Sequence, residues 1–189
     1  MAMPQTTPVQ GQWTVEDVRL LPDDGNRYEV IDGVLFVTPA PRLVHQEGVG
    51  TLYAALRTYL SGSSVGWVFH SPADIEFSPR DGVQPDLFVA PLVEGRRPRG
   101  WTEIGRLVLA VEVLSPSTAR RDRREKRRLY QRFADEYWIV DLDARLVERW
   151  RPDDVRPEVL DETLSWRQAG AVQPLVIDLA AYFREAWGE

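Results

Sequence analysis

Residues 107–133 read LVLAVEVLSPSTARRDRREKRRLYQRF, and the fold turns on them. Leu107–Leu114 is apolar throughout except for Glu112. A strand without polar alternation is covered on both faces, which places this one in the middle of a sheet. Ser115-Pro116-Ser117-Thr118 ends the strand and opens a helix predicted over Ala119–Phe133. That helix carries Lys126, the only lysine of the chain, the other 22 of its 23 basic residues being arginine. At about 100° per residue, Asp122, Leu129, Tyr130 and Phe133 share the side of Lys126, so the lysine turns towards the sheet. Arg120, Arg121, Arg124, Arg127, Arg128 and Arg132 fall away from it, nearer solvent. An ionised carboxylate inside such a strand needs a cation, hydrogen bonds or a metal. Glu112 facing Lys126 is therefore where chemistry is sought.

Working outward, Thr14 is an N-cap for a short helix that stops by Pro22, with Glu16 and Asp17 in its first turn. Tyr28–Ile31 and Val34–Val37 flank Asp32-Gly33, the dipeptide that suits a type I′ hairpin turn. His45, Val49, Leu52, Leu56 and Leu60 recur on one face of a helix over Leu43–Leu60. Gly48 and Gly50 within it suggest close packing against a neighbour. Strands are predicted at Trp67–His70, Ala73–Ser78, Leu87–Ala90, Tyr137–Val140, Leu146–Trp150 and Leu175–Ile177. A short amphipathic helix is predicted near Ala180–Trp187. The order of elements gives a mixed α/β (α+β) layer, helices packed on a central mixed β-sheet with an N-terminal hairpin. Residues 1–12 are expected to be a loose N-terminal segment, and 13–189 one domain.

The 189-residue chain is 43% hydrophobic and 28% charged, the balance of a globular protein. Its longest apolar runs fall far short of the ~18 residues that cross a bilayer. The N-terminus has neither the basic nor the apolar region of a secretory signal. With no cysteine, disulfides, thiolate catalysis and cysteine-ligated zinc are excluded. These features predict a cytoplasmic protein. The net charge of −6 argues against a general nucleic-acid coat protein. Residues 119–132, however, hold seven arginines and Lys126 against Asp122 and Glu125, a local balance of +6. An acidic body with one basic helix can present a phosphate-binding surface.

Asp86 follows Pro85 and opens Leu87–Ala90, at a strand edge from which a side chain reaches a cleft. Asp86 and Glu112 on adjacent strands make an oxygen-ligand site for Mg²⁺ or Mn²⁺. The plainer readings stand beside this one. Glu112 and Lys126 can be a structural ion pair, His45 a hydrogen-bonded core histidine, and the arginines a solvated helix face. If Tyr28 and Val30 face the core, Glu29 faces outward.

Taken together, Tyr28-Glu29-Val30-Ile31-Asp32-Gly33, His45, Pro85-Asp86, Glu112–Thr118, Asp122, Lys126, Tyr130 and Tyr137–Asp141 resemble the bacterial Uma-type endonuclease family of the PD-(D/E)xK superfamily. The resemblance runs from about Thr14 to Arg151. It implies a restriction-endonuclease-like core and a Mg²⁺- or Mn²⁺-dependent endonuclease acting on DNA, homodimeric and with no organic cofactor. By it, Asp86 and Glu112 hold the metal, Lys126 is a catalytic lysine relocated to the helix, and Glu29 and His45 are further active-site residues. Arg120, Arg121, Arg124, Arg127 and Arg128 are the candidate DNA-backbone contacts. Where the superfamily's Glu-x-Lys motif has lysine, this chain has Leu114. A catalytically degenerate nuclease fold, acting as a nucleic-acid-binding or structural homodimer, is the alternative; a partner-binding module is a third.

Overall fold

The computed structural model describes residues 11–39, 42–168 and 171–189. The expectation of a loose segment over residues 1–12 therefore falls almost wholly outside the described residues. In chain order come α1 (Val15–Arg19), β1 (Arg27–Ile31), β2 (Val34–Thr38), α2 (Leu43–Leu60), β3 (Trp67–His70), β4 (Ile75–Ser78), β5 (Asp81–Val83), β6 (Leu87–Ala90) and β7 (Leu107–Val113). The segment 119–133 is α3 (Ala119–Arg121), a π-helical turn (Asp122–Lys126) and α4 (Arg127–Phe133). There follow β8 (Ala134–Asp141), β9 (Leu146–Trp150), β10 (Glu158–Leu160), β11 (Thr163–Trp166), β12 (Leu175–Asp178) and α5 (Leu179–Trp187).

The main sheet has the order β10-β9-β8-β7-β6-β3, with β7 and β8 parallel and the other pairs antiparallel. Parallel neighbours need a crossover, and the helical segment 119–133 supplies it. β7 lies between two paired strands and is buried from end to end, as its apolar run predicts. From Leu109 onward its side chains alternate between two cores. Leu109, Val111 and Val113 pack with α2 and α5, while Ala110 packs under α4 with Leu129 and Tyr130; at the start of the strand Leu107 joins the α4 side and Val108 the other. Glu112 shares the parity of Ala110 and so faces α4.

A smaller antiparallel sheet, β2-β1-β5-β4, covers the rest of the α4 side. Its hairpin closes through Asp32 and Gly33, with φ of 50° and 76°, the two positive values that a type I′ turn requires. Val30 packs beneath α1, and Ile31 on the opposite face joins the core under α4. Both faces of β1 are thus covered. This corrects the outward reading of Glu29, which points inward with Ile31 and is 0% exposed. α1 starts at the expected cap, where Thr14 and Asp17 form a reciprocal capping box.

Gly48 meets the predicted close neighbours: a Cβ there would lie 3.2 Å from Leu142 and from the Tyr182 hydroxyl. Gly50 does not, since a Cβ there would meet nothing within 4 Å. β5, β10 and β11, three or four residues each, carry too little pattern to read in advance. No described helix is long and apolar enough to cross a membrane.

Candidate active site

Glu112 is one residue from the end of β7, and Asp86 immediately precedes its neighbour β6. Asp86 is nearly saturated. Arg27 Nη1 donates to its Oδ1 at 2.9 Å, and the Val113 amide donates to Oδ2 at 2.9 Å. His45, on the first turn of α2, sets Nε2 3.0 Å from the same Oδ2. Burial alone would raise the Asp86 pKa; the His45 hydrogen bond and the charges of His45, Arg27 and Lys126 outweigh it and hold the carboxyl well below its usual range.

Glu112 has the opposite balance. Lys126 Nζ and the Tyr130 hydroxyl both donate to Oε1, at 2.7 and 3.0 Å. Burial, together with the charges of Asp86, Asp122 and Glu29, still outweighs Lys126 and pushes its pKa up to about 8. Oε2 accepts no hydrogen bond from the described residues.

Lys126 turns inward as its helical phase predicts, and it bridges two carboxylates. Its Nζ is 2.8 Å from Glu29 Oε1, which also accepts the Gln84 amide at 2.8 Å. Burial disfavours the Glu29 charge, but Lys126 and then Arg121 hold its pKa low. Burial likewise disfavours the ammonium, and the charges of Glu112 and Glu29 raise its pKa regardless. Asp122 stands a turn earlier on the same helix face, its pKa raised by burial. The backbone widens beside this cluster, where Arg127 N–H reaches back to the Asp122 carbonyl in a π-type bond.

Asp86, Glu112, His45 and Arg27 line a cavity of about 290 Å³ with Arg42, Val113, Ser115, Ser117, Thr118 and Arg121. Carboxylates and guanidinium groups thus share one hollow with four hydroxyls, those of Thr38, Ser115, Ser117 and Thr118. Lys126 and Glu29, both 0% exposed, are not on its wall and lie behind Glu112. A second hollow, about 360 Å³, shares Pro39, Ser117, Thr118 and Arg121 with the first and reaches Arg120. A separate hollow of about 260 Å³ between α1 and the small sheet has none of the carboxylate–lysine cluster on its wall.

The profile of the Uma2 family, described as "Putative restriction endonuclease", matches residues 15–179. The chain belongs to this family. Among solved structures, one described as a putative nuclease belonging to DUF820, from Anabaena variabilis ATCC 29413, has a TM-score of 0.73 at 18% identity. The match covers 92% of this chain and 98% of that one, and it shows a shared fold. A search of curated proteins found no match. The family places the chain among nuclease-type proteins.

All five expected site residues, Asp86, Glu112, Lys126, Glu29 and His45, converge on this cluster. The arginines divide. Arg120, Arg124 and Arg128 form an exposed stripe at four-residue spacing, and Arg132 is exposed beyond them. Arg121 was expected near solvent but turns in: Nη1 donates to Thr38 at 2.9 Å, Nη2 lies 3.3 Å from Glu29 Oε2, and the guanidinium sits over Phe36. The reason is β2, which covers that flank of the helix. Arg127 is likewise half-buried, donating to Gln131 and lying over Trp150. Sequence reasoning missed Arg27 altogether. In a chain with 22 arginines, nothing local distinguishes the one that reaches Asp86.

Proposed function

We propose that the cavity between Asp86 and Glu112 hydrolyses DNA phosphodiester bonds with Mg²⁺ or Mn²⁺ as cofactor. The observation that carries the reading is one hollow in which two buried carboxylates from adjacent strands face Arg27, Arg42 and Arg121. The donor set fits the ion. Among the described residues no three His, Cys, Asp or Glu side chains group into a closed metal cage. Mg²⁺ is commonly held by only one or two carboxylates, the rest of its shell being water and substrate phosphate. Asp86 supplies a carboxylate kept ionised, and Glu112 supplies Oε2, the oxygen left over when Lys126 and Tyr130 anchor Oε1.

When bound, such an ion neutralises phosphate charge and acidifies water. The chain's own residues orient the reaction. Lys126 acts from behind Glu112, fixing its carboxylate and offsetting its charge, rather than on a water in the cavity. Glu29 holds Lys126 in turn. His45 and the Val113 amide fix Asp86. Arg42 and Arg121 offer guanidinium groups to a phosphate at the cavity wall. The exposed stripe of Arg120, Arg124 and Arg128 takes the flanking backbone, and the second hollow joins it to the cavity. Assembly as a homodimer and residence in the cytoplasm belong to the same proposal.

The test incubates purified protein with linear, supercoiled and single-stranded DNA in Mg²⁺, Mn²⁺ or EDTA, beside Asp86→Asn and Glu112→Gln. Cleavage that needs the metal and disappears in both variants is expected. Cleavage unchanged by either substitution refutes the site. The second reading, a nuclease fold that binds nucleic acid without cutting, draws on Leu114 and on Arg27 already holding Asp86. It predicts DNA binding without cleavage and no uptake of Mn²⁺ at millimolar concentration.

A further inference from the structure

We propose that Arg27 is a built-in competitor for the cation seat at Asp86, and that its guanidinium must withdraw before a divalent ion is held there. The inference rests on the nuclease reading and adds a residue and an order of events to it. Counting lone pairs leads to it. A carboxylate oxygen offers about two acceptor sites. On Asp86, His45 and the Val113 amide take both sites of Oδ2. Oδ1 is left for a cation, and Arg27 Nη1 already takes one of its two sites at 2.9 Å, so a divalent ion on the other would stand against the guanidinium charge. Guanidinium does not give up its proton, so it cannot yield by neutralising itself. It yields only by moving.

Arg27 is also the member of this group free to move. It begins β1, directly after the turn residues Asp24 and Asn26, and its side chain is 21% exposed against 4% for Asp86. Among the described residues its one other side-chain bond is to the Gln84 carbonyl at 3.2 Å. Leaving Oδ1 strands no buried donor, because Arg27 stands at the cavity wall. Until then it serves as the counter-ion that lets Asp86 remain charged without a metal.

The experiment is calorimetric titration of Mn²⁺ into wild type, Arg27→Met and Arg27→Lys, without DNA, with circular dichroism and thermal melting as controls for folding. Breaking one hydrogen bond to a charged group is worth roughly ten- to hundredfold in an equilibrium. Arg27→Met is therefore expected to bind Mn²⁺ about tenfold or more tightly than wild type, and Arg27→Lys to stay close to wild type. If Arg27→Met does not fold, Arg27→Gln, which keeps a donor but no charge, carries the same expectation. Equal or weaker binding by the uncharged variant, with wild type binding measurably, overturns the competitor and leaves the nuclease reading standing. No Mn²⁺ uptake by any of the proteins overturns both.

Discussion

Replacing Lys126 with Met keeps a linear side chain of similar length and removes the one cation common to Glu29 and Glu112. The two carboxylates do not suffer equally. Glu112, pushed up to about 8 with no metal beside it, is the less readily ionised of the two and loses mainly a partner for Oε1. Glu29 is the one held ionised, first by Lys126 at 2.8 Å and then by Arg121 at 3.3 Å, in a site with 0% exposure. Breaking a buried pair by removing one partner costs about 3–5 kcal/mol. Because Arg121 remains, the lower end applies, about 3 kcal/mol, or a fall of about 6–12 °C in melting temperature for a chain of this size. Calorimetric melting at neutral pH reads it directly. Two further outcomes identify the cause. Without Lys126, the folded pKa of Glu29 rises above its unfolded value, so the deficit should shrink as pH falls and Glu29 protonates. Adding Glu29→Gln to Lys126→Met should recover most of the loss, since no buried charge is then stranded. A Lys126→Met protein that melts within about 2 °C of wild type, or a deficit constant from pH 4 to 8, would refute the reasoning.

Glu112 makes its own pH signature: with a folded pKa near 8 against an ordinary 4.5, the folded chain holds the extra proton between those values. Stability should therefore fall as pH rises through that window, by up to about 1.4 kcal/mol per unit. Urea titrations at several pH values read this slope, and Glu112→Gln should flatten it. Replacing Arg120, Arg124 and Arg128 together with Ala should weaken DNA binding, and should lower the slope of log affinity against log salt by about 0.9 for each phosphate no longer neutralised. Melting should barely change, because these side chains are exposed. In α2, Gly50→Ala should stabilise by about 0.5–1 kcal/mol, as expected for Gly to Ala in an open helix interior. Gly48→Ala should forfeit that gain against Leu142 and Tyr182, and chemical denaturation of both variants separates them.

The parts that could be read from the sequence are those whose signal is local. The Asp32-Gly33 turn needs two positive φ values, which announce themselves in residue type. The apolar run of β7, interrupted only by Glu112, marks a central strand, and the periodicity of α2 gave its limits to the residue. Lys126 could be phased because the helix beneath it is amphipathic, even with a π-type turn inside it. What was not legible depends on coverage from elsewhere in the chain. Period-two alternation turns Glu29 outward only if one face of β1 is wet, and here α1 and the main core cover both. Arg121 is pulled in by β2, a strand more than 80 residues earlier. Arg27 reaches Asp86 across 59 positions, a pairing with no local sign. Nor could phase alone show that Lys126, though inward, stops behind Glu112 instead of reaching the cavity.

The helix passes into β8 without a linker, since Phe133 ends α4 and Ala134 begins β8, and only residues 114–118 separate β7 from α3. Lys126 and Glu112, 14 positions apart, can therefore meet within one local supersecondary unit. Glu29, His45 and Asp86 join only through long-range closure. Small loops close early and large ones late, so the chain has a natural order of assembly in which the lysine–glutamate pair forms while still open to water. Docking of the N-terminal hairpin then removes that water and adds the second carboxylate. In this sense the hairpin is the seal of the site, and the dryness of Lys126 depends on a segment almost a hundred residues away.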